Sequence, residues 1–203
     1  MNAEDIEFWN GRYRQGRIPW DAGRTPQQLV QWLQRNPQPA RVLIPGCGSG
    51  YEVRTFHEYG WDVLAVDFAP ASVERARAVL GDLGSRVVLA DFFTCPFERA
   101  FDVIYERAFL CSLPPHRWPE CIRRVWECLR PGGLWLGFFL YGHEDEPPPW
   151  PMTEADARQL VEPRFERIEE EPALDSVPVF AGRERWQVWR KRAVPLGPSE
   201  EPS

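Results

Sequence analysis

The chain has no surplus of positive charge: 24 Lys and Arg stand against 30 Asp and Glu, for a net charge of -6. Binding a phosphate backbone needs clustered Lys and Arg with little opposing charge, so nucleic acid is not expected as a partner. Arginines do gather at Arg12, Arg14 and Arg17 and again at Arg183, Arg185 and Arg190, interleaved with aromatics. Each group is short, and most of these side chains read as a solvated face. The five cysteines, Cys47, Cys95, Cys111, Cys121 and Cys128, show no CxxC spacing and no nearby His pair. That speaks against a zinc site and a disulfide framework, so no metal is expected, and reduced thiols fit a cytoplasmic location. No apolar run is long enough to span a bilayer, and Met1 to Asp5 contain no basic region leading into one, so no membrane association is expected. His57, His116 and His143 are scattered and read as surface residues. They leave no Ser-His-Asp or Cys-His constellation for covalent catalysis. There is no internal repeat.

What is present is a chain of 203 residues, 43% of them hydrophobic, enough to bury one sizeable core. Residues 1-192 read as a single domain, 1-36 forming a helical cap, and the Pro-, Ser- and Glu-rich residues 193-203 read as a disordered tail. A monomer is favoured.

Two helical elements come first. One runs from about Ala3 to Arg14 with Ile6, Trp9 and Tyr13 near one face; the other has Thr25 as N-cap, Pro26 at its first position and Leu29, Val30, Trp32 and Leu33 as apolar residues. Strands are then expected at Arg41–Pro45, Asp62–Val66, Arg86–Ala90, Phe101–Tyr105, Leu134–Tyr141, Phe165–Glu171 and Trp186–Lys191. The first five alternate with helical patterns, including helices from Pro70 to about Leu80 and from Arg117 to about Leu129. This alternation predicts an α/β fold with a doubly wound, mostly parallel sheet and helices on both faces. Pro131-Gly132-Gly133 reads as a sharp turn into a central strand, and Thr153 with Asp156 as a capping box.

The chemistry-bearing residues sit at strand ends. Gly46, Gly48 and Gly50 form a turn between the first strand and a helix, where missing side chains let a ligand approach backbone N–H groups; the alternative is a tight structural connection. Asp67 follows the second strand 17 residues after Gly50, at the carboxyl edge where open α/β sheets bind ligands. It can accept hydrogen bonds from ribose hydroxyls, or cap the helix ahead of Pro70. Tyr51 occupies the position where a dinucleotide fingerprint needs a small residue, which disfavours a nicotinamide oxidoreductase and favours S-adenosylmethionine, a cofactor with no pyrophosphate to cradle. Asp91 with Phe92 and Phe93 follows the third strand, where a carboxylate can accept from an adenine amino group and an aromatic ring can cover the base. Trp9, Tyr13 and Trp20 give the N-terminal segment more aromatics than a surface helix needs; they either pack it on the sheet or face a sulfonium, a contact worth roughly 0.5 to 2 kcal/mol.

Trp9, Tyr13, Pro19-Trp20-Asp21, Pro45-Gly46-Cys47-Gly48-Ser49-Gly50, Val66-Asp67, Asp91-Phe92-Phe93, Glu106-Arg107-Ala108 and Arg183-Glu184-Arg185-Trp186, in that order, resemble the thiopurine S-methyltransferase family, particularly its thiol and halide branch. The resemblance implies a class I S-adenosylmethionine-dependent methyltransferase: a Rossmann-like seven-stranded sheet, its last strand antiparallel, under an N-terminal helical lid. It also implies that Trp9, Tyr13 and Trp20 line the cofactor pocket, that Gly46 and Asp67 hold the amino-acid part and the ribose, and that Asp91 and Phe92 hold adenine. Arg107 would lie beside the methionine or the acceptor. Tyr13 stands where many members carry Trp, and Arg107 follows the thiopurine branch where a tyrosine is typical of the other.

Methyl transfer from a sulfonium is a direct displacement that needs alignment and no covalent enzyme intermediate. The expected acceptor is a small soft nucleophile, a thiol or bisulfide, with a small-molecule O- or N-acceptor or a catalytically silent binding protein as alternatives. Arg107, helped by Arg183 or Arg185, is expected to favour the acceptor's anionic form. Cys47 and Cys111 fall near the expected pocket and read as buried structural thiols.

Overall fold

The computed structural model describes residues 5–195. The remaining terminal residues, including most of the expected tail and the first residues of the expected N-terminal helix, lie outside this range. Among the described residues, seven strands form one sheet: β1 Arg41–Pro45, β2 Asp62–Asp67, β3 Val87–Leu89, β4 Phe101–Arg107, β5 Leu129–Leu140, β6 Phe165–Pro172 and β7 Glu184–Lys191. Their order across the sheet is β3-β2-β1-β4-β5-β7-β6. Only β7 runs against its neighbours, pairing antiparallel with both β5 and β6. All seven expected strands are present.

The helices are α1 Ile6–Arg14, α2 Gln27–Arg35, α3 Tyr51–Glu58, α4 Pro70–Leu80, α5 Trp118–Cys128 and the short α6 Glu154–Asp156. Asp5 caps α1, accepting from the Glu7 N–H, and Pro70 supplies the N-terminal proline expected for α4. The capping box of Thr153 and Asp156 forms as expected. Two sequence expectations need correction. Pro26, at ψ 142°, is itself the extended N-cap of α2, whereas the Thr25 hydroxyl is taken by Thr55 on α3 at 2.7 Å. Helix α5 passes directly into β5 at Leu129, and Pro131 to Gly133 form an irregularity inside that strand, between the pairs Phe101–Leu129 and Val103–Leu134.

Strand alternation divides the core in two. Val42 and Ile44 of β1, with Tyr105 of β4, face α2, α3 and α4, packing against Trp32, Phe56 and Ala76. Leu43 and Ile104 face the other way, against Ile122 and Val125 of α5. With both faces covered, the functional space is left at the carboxyl ends of β1, β2 and β4, where the strand order reverses.

Candidate active site

A cavity of about 530 Å³ opens at these strand ends, within the range of small-molecule sites. The glycine turn makes its floor. Gly46 has φ 57° and Gly48 φ 56°, both in the left-handed region; a Cβ on Gly46 would lie 2.4 Å from the Phe109 ring, and one on Gly48 would lie 2.9 Å from Tyr13 Oη. The turn therefore packs its backbone directly against Phe109 and Tyr13, with no room for a Cβ at either position, while it lines the cavity. Gly50, also left-handed, starts α3.

Asp67, at the end of β2, is 7% exposed. Its Oδ1 accepts from the Ala69 N–H at 3.0 Å, and its Oδ2 from the Gly48 N–H at 3.1 Å and the Ser72 hydroxyl at 2.8 Å. The side chain thus closes the turn that leads into α4 and ties that turn to the glycine turn. A carboxylate has about four acceptor sites, so three bonds leave room for about one more hydroxyl. Burial pushes its carboxyl upward, and these donors pull it back. Asp91, following β3, is exposed and accepts from the Phe93 N–H at 2.9 Å. Phe92 is 3% exposed, packs edge-on against Phe93 and Phe109, and contributes to the cavity wall.

The N-terminal segment forms the opposite wall. The rings of Trp9 and Trp20 lie 5.5 Å apart and those of Tyr13 and Trp20 6.2 Å apart, all edge-on, and all three line the cavity. Burial, reinforced by the Asp67 charge, pushes the Tyr13 phenol well above its usual range, so it stays neutral. Polar links that sequence reasoning missed fix this wall. Asn10, 2% exposed, accepts from the Ala71 N–H at 3.0 Å, joining α1 to the start of α4. Asp21 accepts from the Ser49 hydroxyl and forms an ion pair with Arg75 at 3.3 Å, joining the Trp20 loop to the glycine turn. An asparagine in an otherwise amphipathic helix was the one available signal.

At the far end lies Arg107, the last residue of β4, its side chain 8% exposed. Its Nε is 3.6 Å from a Glu184 oxygen, Nη2 donates to the Asp175 carbonyl at 3.4 Å, and the guanidinium sits 4.9 Å from the centre of the Phe138 ring. The adjacent acid Glu106 turns away and accepts from the Phe109 and Leu110 N–H groups at 3.0 and 3.2 Å. Burial pushes its carboxyl up to about 8. Cys47 and Cys111 also line the cavity, and burial pushes both thiols far up, which leaves them poor nucleophiles.

Arg183 and Arg185 are not brought to this site. Arg183 donates to the His143 carbonyl, the Glu144 carboxylate and the Val179 carbonyl. Arg185 pairs with Glu154 and Glu170 over the Tyr141 ring. Neither lines the cavity, so the expectation that they assist Arg107 is withdrawn. None of the three histidines lines it either. Among the described residues, no group of three or more His, Cys, Asp or Glu is placed to hold a metal, and no helix is long and apolar enough to cross a membrane.

A backbone floor that no Cβ could occupy, acids after β2 and β3, and an aromatic wall fit an adenosine with a sulfonium and an amino-acid tail. Together with the sheet order, they define a class I S-adenosylmethionine-dependent methyltransferase. The chain belongs to the thiopurine S-methyltransferase family, whose model matches residues 4–192. It is 27% identical over 201 residues to a probable thiol methyltransferase 2 of Arabidopsis thaliana, covering 96% of this chain and 89% of that one. With thiocyanate methyltransferase 1 of Brassica oleracea it shares 26% identity over 190 residues, covering 90% and 84%. Among solved structures, the 1,6-didemethyltoxoflavin-N1-methyltransferase of Burkholderia thailandensis, bound to S-adenosylhomocysteine, has the same fold. Its TM-score is 0.72 at 20% identity, covering 92% of this chain and 87% of that one.

Proposed function

We propose that this enzyme methylates a small thiol or bisulfide, which enters beside Arg107. One observation carries the reading: a nearly buried guanidinium on the cavity wall, paired with Glu184 and lying against the Phe138 ring, with no histidine lining the cavity to serve as a base. A soft nucleophile suits such a place. Thiols of pKa near 8.5 are already a few per cent ionised at neutral pH, and a cation in a poorly hydrated site favours the anion further. The plant relatives, a probable thiol methyltransferase and a thiocyanate methyltransferase, support the same acceptor class.

In this reading Gly46, Gly48 and Gly50 receive the cofactor's amino-acid end, Asp67 one ribose hydroxyl, and Asp91 with Phe92 the adenine. Trp9, Tyr13 and Trp20 close over it from the N-terminal side, with π faces available to a cation. When bound, S-adenosylmethionine supplies a methyl group made electrophilic by its sulfonium. The chain's own work is to align the acceptor, exclude water and hold a positive charge at Arg107. The catalytic unit is residues 4–192, the span of the family match, with its first helices as the cap. Five free cysteines support a reducing, cytoplasmic setting.

The test is transfer of labelled methyl from S-adenosylmethionine to bisulfide, an aromatic thiol, iodide, selenite and a catechol. Turnover with bisulfide or the thiol is expected. Turnover with the catechol alone would keep the fold and overturn the acceptor class, and silence with the whole panel despite cofactor binding would favour the binding-protein alternative.

A further inference from the structure

We infer that Glu52 is the proton acceptor for the thiol, a role that rests on the acceptor class proposed above. Glu52 lies in the first turn of α3, two residues after Gly50, and its side chain is part of the cavity wall. It is 8% exposed. Its hydrogen-bond partners are its own backbone N–H and the Tyr105 hydroxyl, the latter at 3.3 Å. Tyr105 and Arg107 stand two residues apart on β4 and so face the same side, towards Glu52.

The charge balance in this corner is unusual. The groups that act on Glu52 are Tyr105 and Arg107 from β4, Asp21 from the Trp20 loop and Cys47 from the glycine turn. Beyond Arg107 lie Glu184 of β7 and Asp175 of the loop before it. Arg107 is thus one guanidinium acted on by two buried carboxylates, Glu52 and Glu184. Glu184 takes the guanidinium as its ion-pair partner, which leaves the carboxylate on the cavity wall as the one able to receive a proton. Glu184 does not line the cavity; Glu52 does. Burial pushes the Glu52 carboxyl upward, with Arg107 and Tyr105 opposing, which brings it closer to a thiol than an ordinary carboxylate would be.

The step balances simply. The S–H bond of the acceptor breaks, an O–H bond forms on the Glu52 carboxylate, and the bonding pair stays on sulfur as the attacking pair. Arg107 favours the anion so formed, and the proton passes to solvent through the cavity mouth after the products leave.

An acceptor that arrives already ionised does not need this step, which gives a test. Glu52→Gln and Glu52→Asp are compared with the parent enzyme on 2-mercaptoethanol and on pentafluorothiophenol, which is ionised at neutral pH. S-adenosylhomocysteine binding is measured by calorimetry as the check on the site. For Glu52→Gln, kcat with 2-mercaptoethanol is expected to fall about 100-fold or more, while kcat with pentafluorothiophenol changes by less than about 5-fold. The remaining alkyl-thiol activity should rise with pH along the ionisation of the thiol itself, and Glu52→Asp should recover part of the loss. Equal losses with the two thiols, or no loss with either, would overturn the assignment. If Glu52→Gln fails to bind S-adenosylhomocysteine, the ratio of the two activities in Glu52→Asp decides, and a ratio equal to the parent's sinks it. A parent enzyme that methylates the catechol and neither thiol would instead remove the acceptor class itself.

Discussion

At the residue scale, the electrostatics of acceptor activation converge on Arg107. Its positive charge is held in place by Glu184 and by the Asp175 carbonyl, and little water reaches it. Removing the cation takes away what favours a thiolate, so the thiol ionises at higher pH. For Arg107→Ala we therefore expect kcat/KM with a thiol to fall roughly 10- to 100-fold, about 1.4 to 2.7 kcal/mol, and the rising limb of the pH-rate profile to move to higher pH. Arg107→Lys should keep part of both effects, and an unchanged limb in the alanine variant would take Arg107 out of acceptor activation. The glycine turn, Asp67, Asp91 and Arg107 were legible in the sequence because consecutive strands of a doubly wound sheet deliver their last residues to one edge. Glu52 was not, since an acid in the first turn of a helix is ordinary complement to the helix dipole. The late arginines misled for a reason of parity. Glu184 and Trp186 lie on the face of β7 that turns to Arg107 and Phe138, and Arg185 between them has to face the other way, over Tyr141 to Glu154.

At the scale of elements, α1 decides whether the aromatic wall is in place. It buries no apolar residue completely, and Asn10 is its buried residue. The hydrogen bond from Ala71 N–H to Asn10 joins it to α4, supplemented by the Tyr13 phenol against Ser72 and by the Trp9, Tyr13 and Trp20 rings. Asn10→Ala leaves that N–H unpaired in a buried place, a cost of about 1 to 3 kcal/mol. Because the wall belongs to the cofactor's side of the cavity, the expected outcome is a 5-fold or greater rise in the cofactor's KM by this energy, with kcat changed less. Amide exchange should quicken across Ile6–Arg14 and stay slow in β1 and β4. Unchanged KM together with unchanged exchange would mean that the rings alone hold the helix. The strands were legible because both faces are covered and their apolar runs are bounded by turn residues. The irregularity at Pro131 to Gly133 was not, because its pairing with β4 depends on a strand more than twenty residues earlier in the chain. Nor was the Thr25 hydroxyl's preference for Thr55, a contact 30 residues away that outweighed local capping.

At the scale of the whole molecule, the carboxyls of Glu52, Asp67, Glu106 and Glu184 are all raised by burial, against the exposed Glu154, which Arg185 lowers. A carboxyl raised in the folded state holds a proton there that the unfolded chain has already released. For Glu106 the interval runs from the ordinary value of 4.5 to about 8. Its contribution is fully present below 4.5 and is lost as pH rises through the interval to about 8. The folded protein is therefore expected to be more stable at pH near 5.5 than at pH near 8.5, with a melting temperature that falls by about 2 to 4 °C for each kcal/mol lost. Glu106→Gln is the variant that isolates this. The amide oxygen can still accept from the Phe109 and Leu110 N–H groups, and the site no longer titrates. Thermal melts at the two pH values should show a smaller difference in the variant than in the parent, chiefly through a gain at the higher pH. An equal difference in both proteins would mean that Glu106 does not carry the slope. The same turn holds Phe109 against Gly46, so the parent's cofactor affinity should weaken over the same pH interval, and the variant's should not.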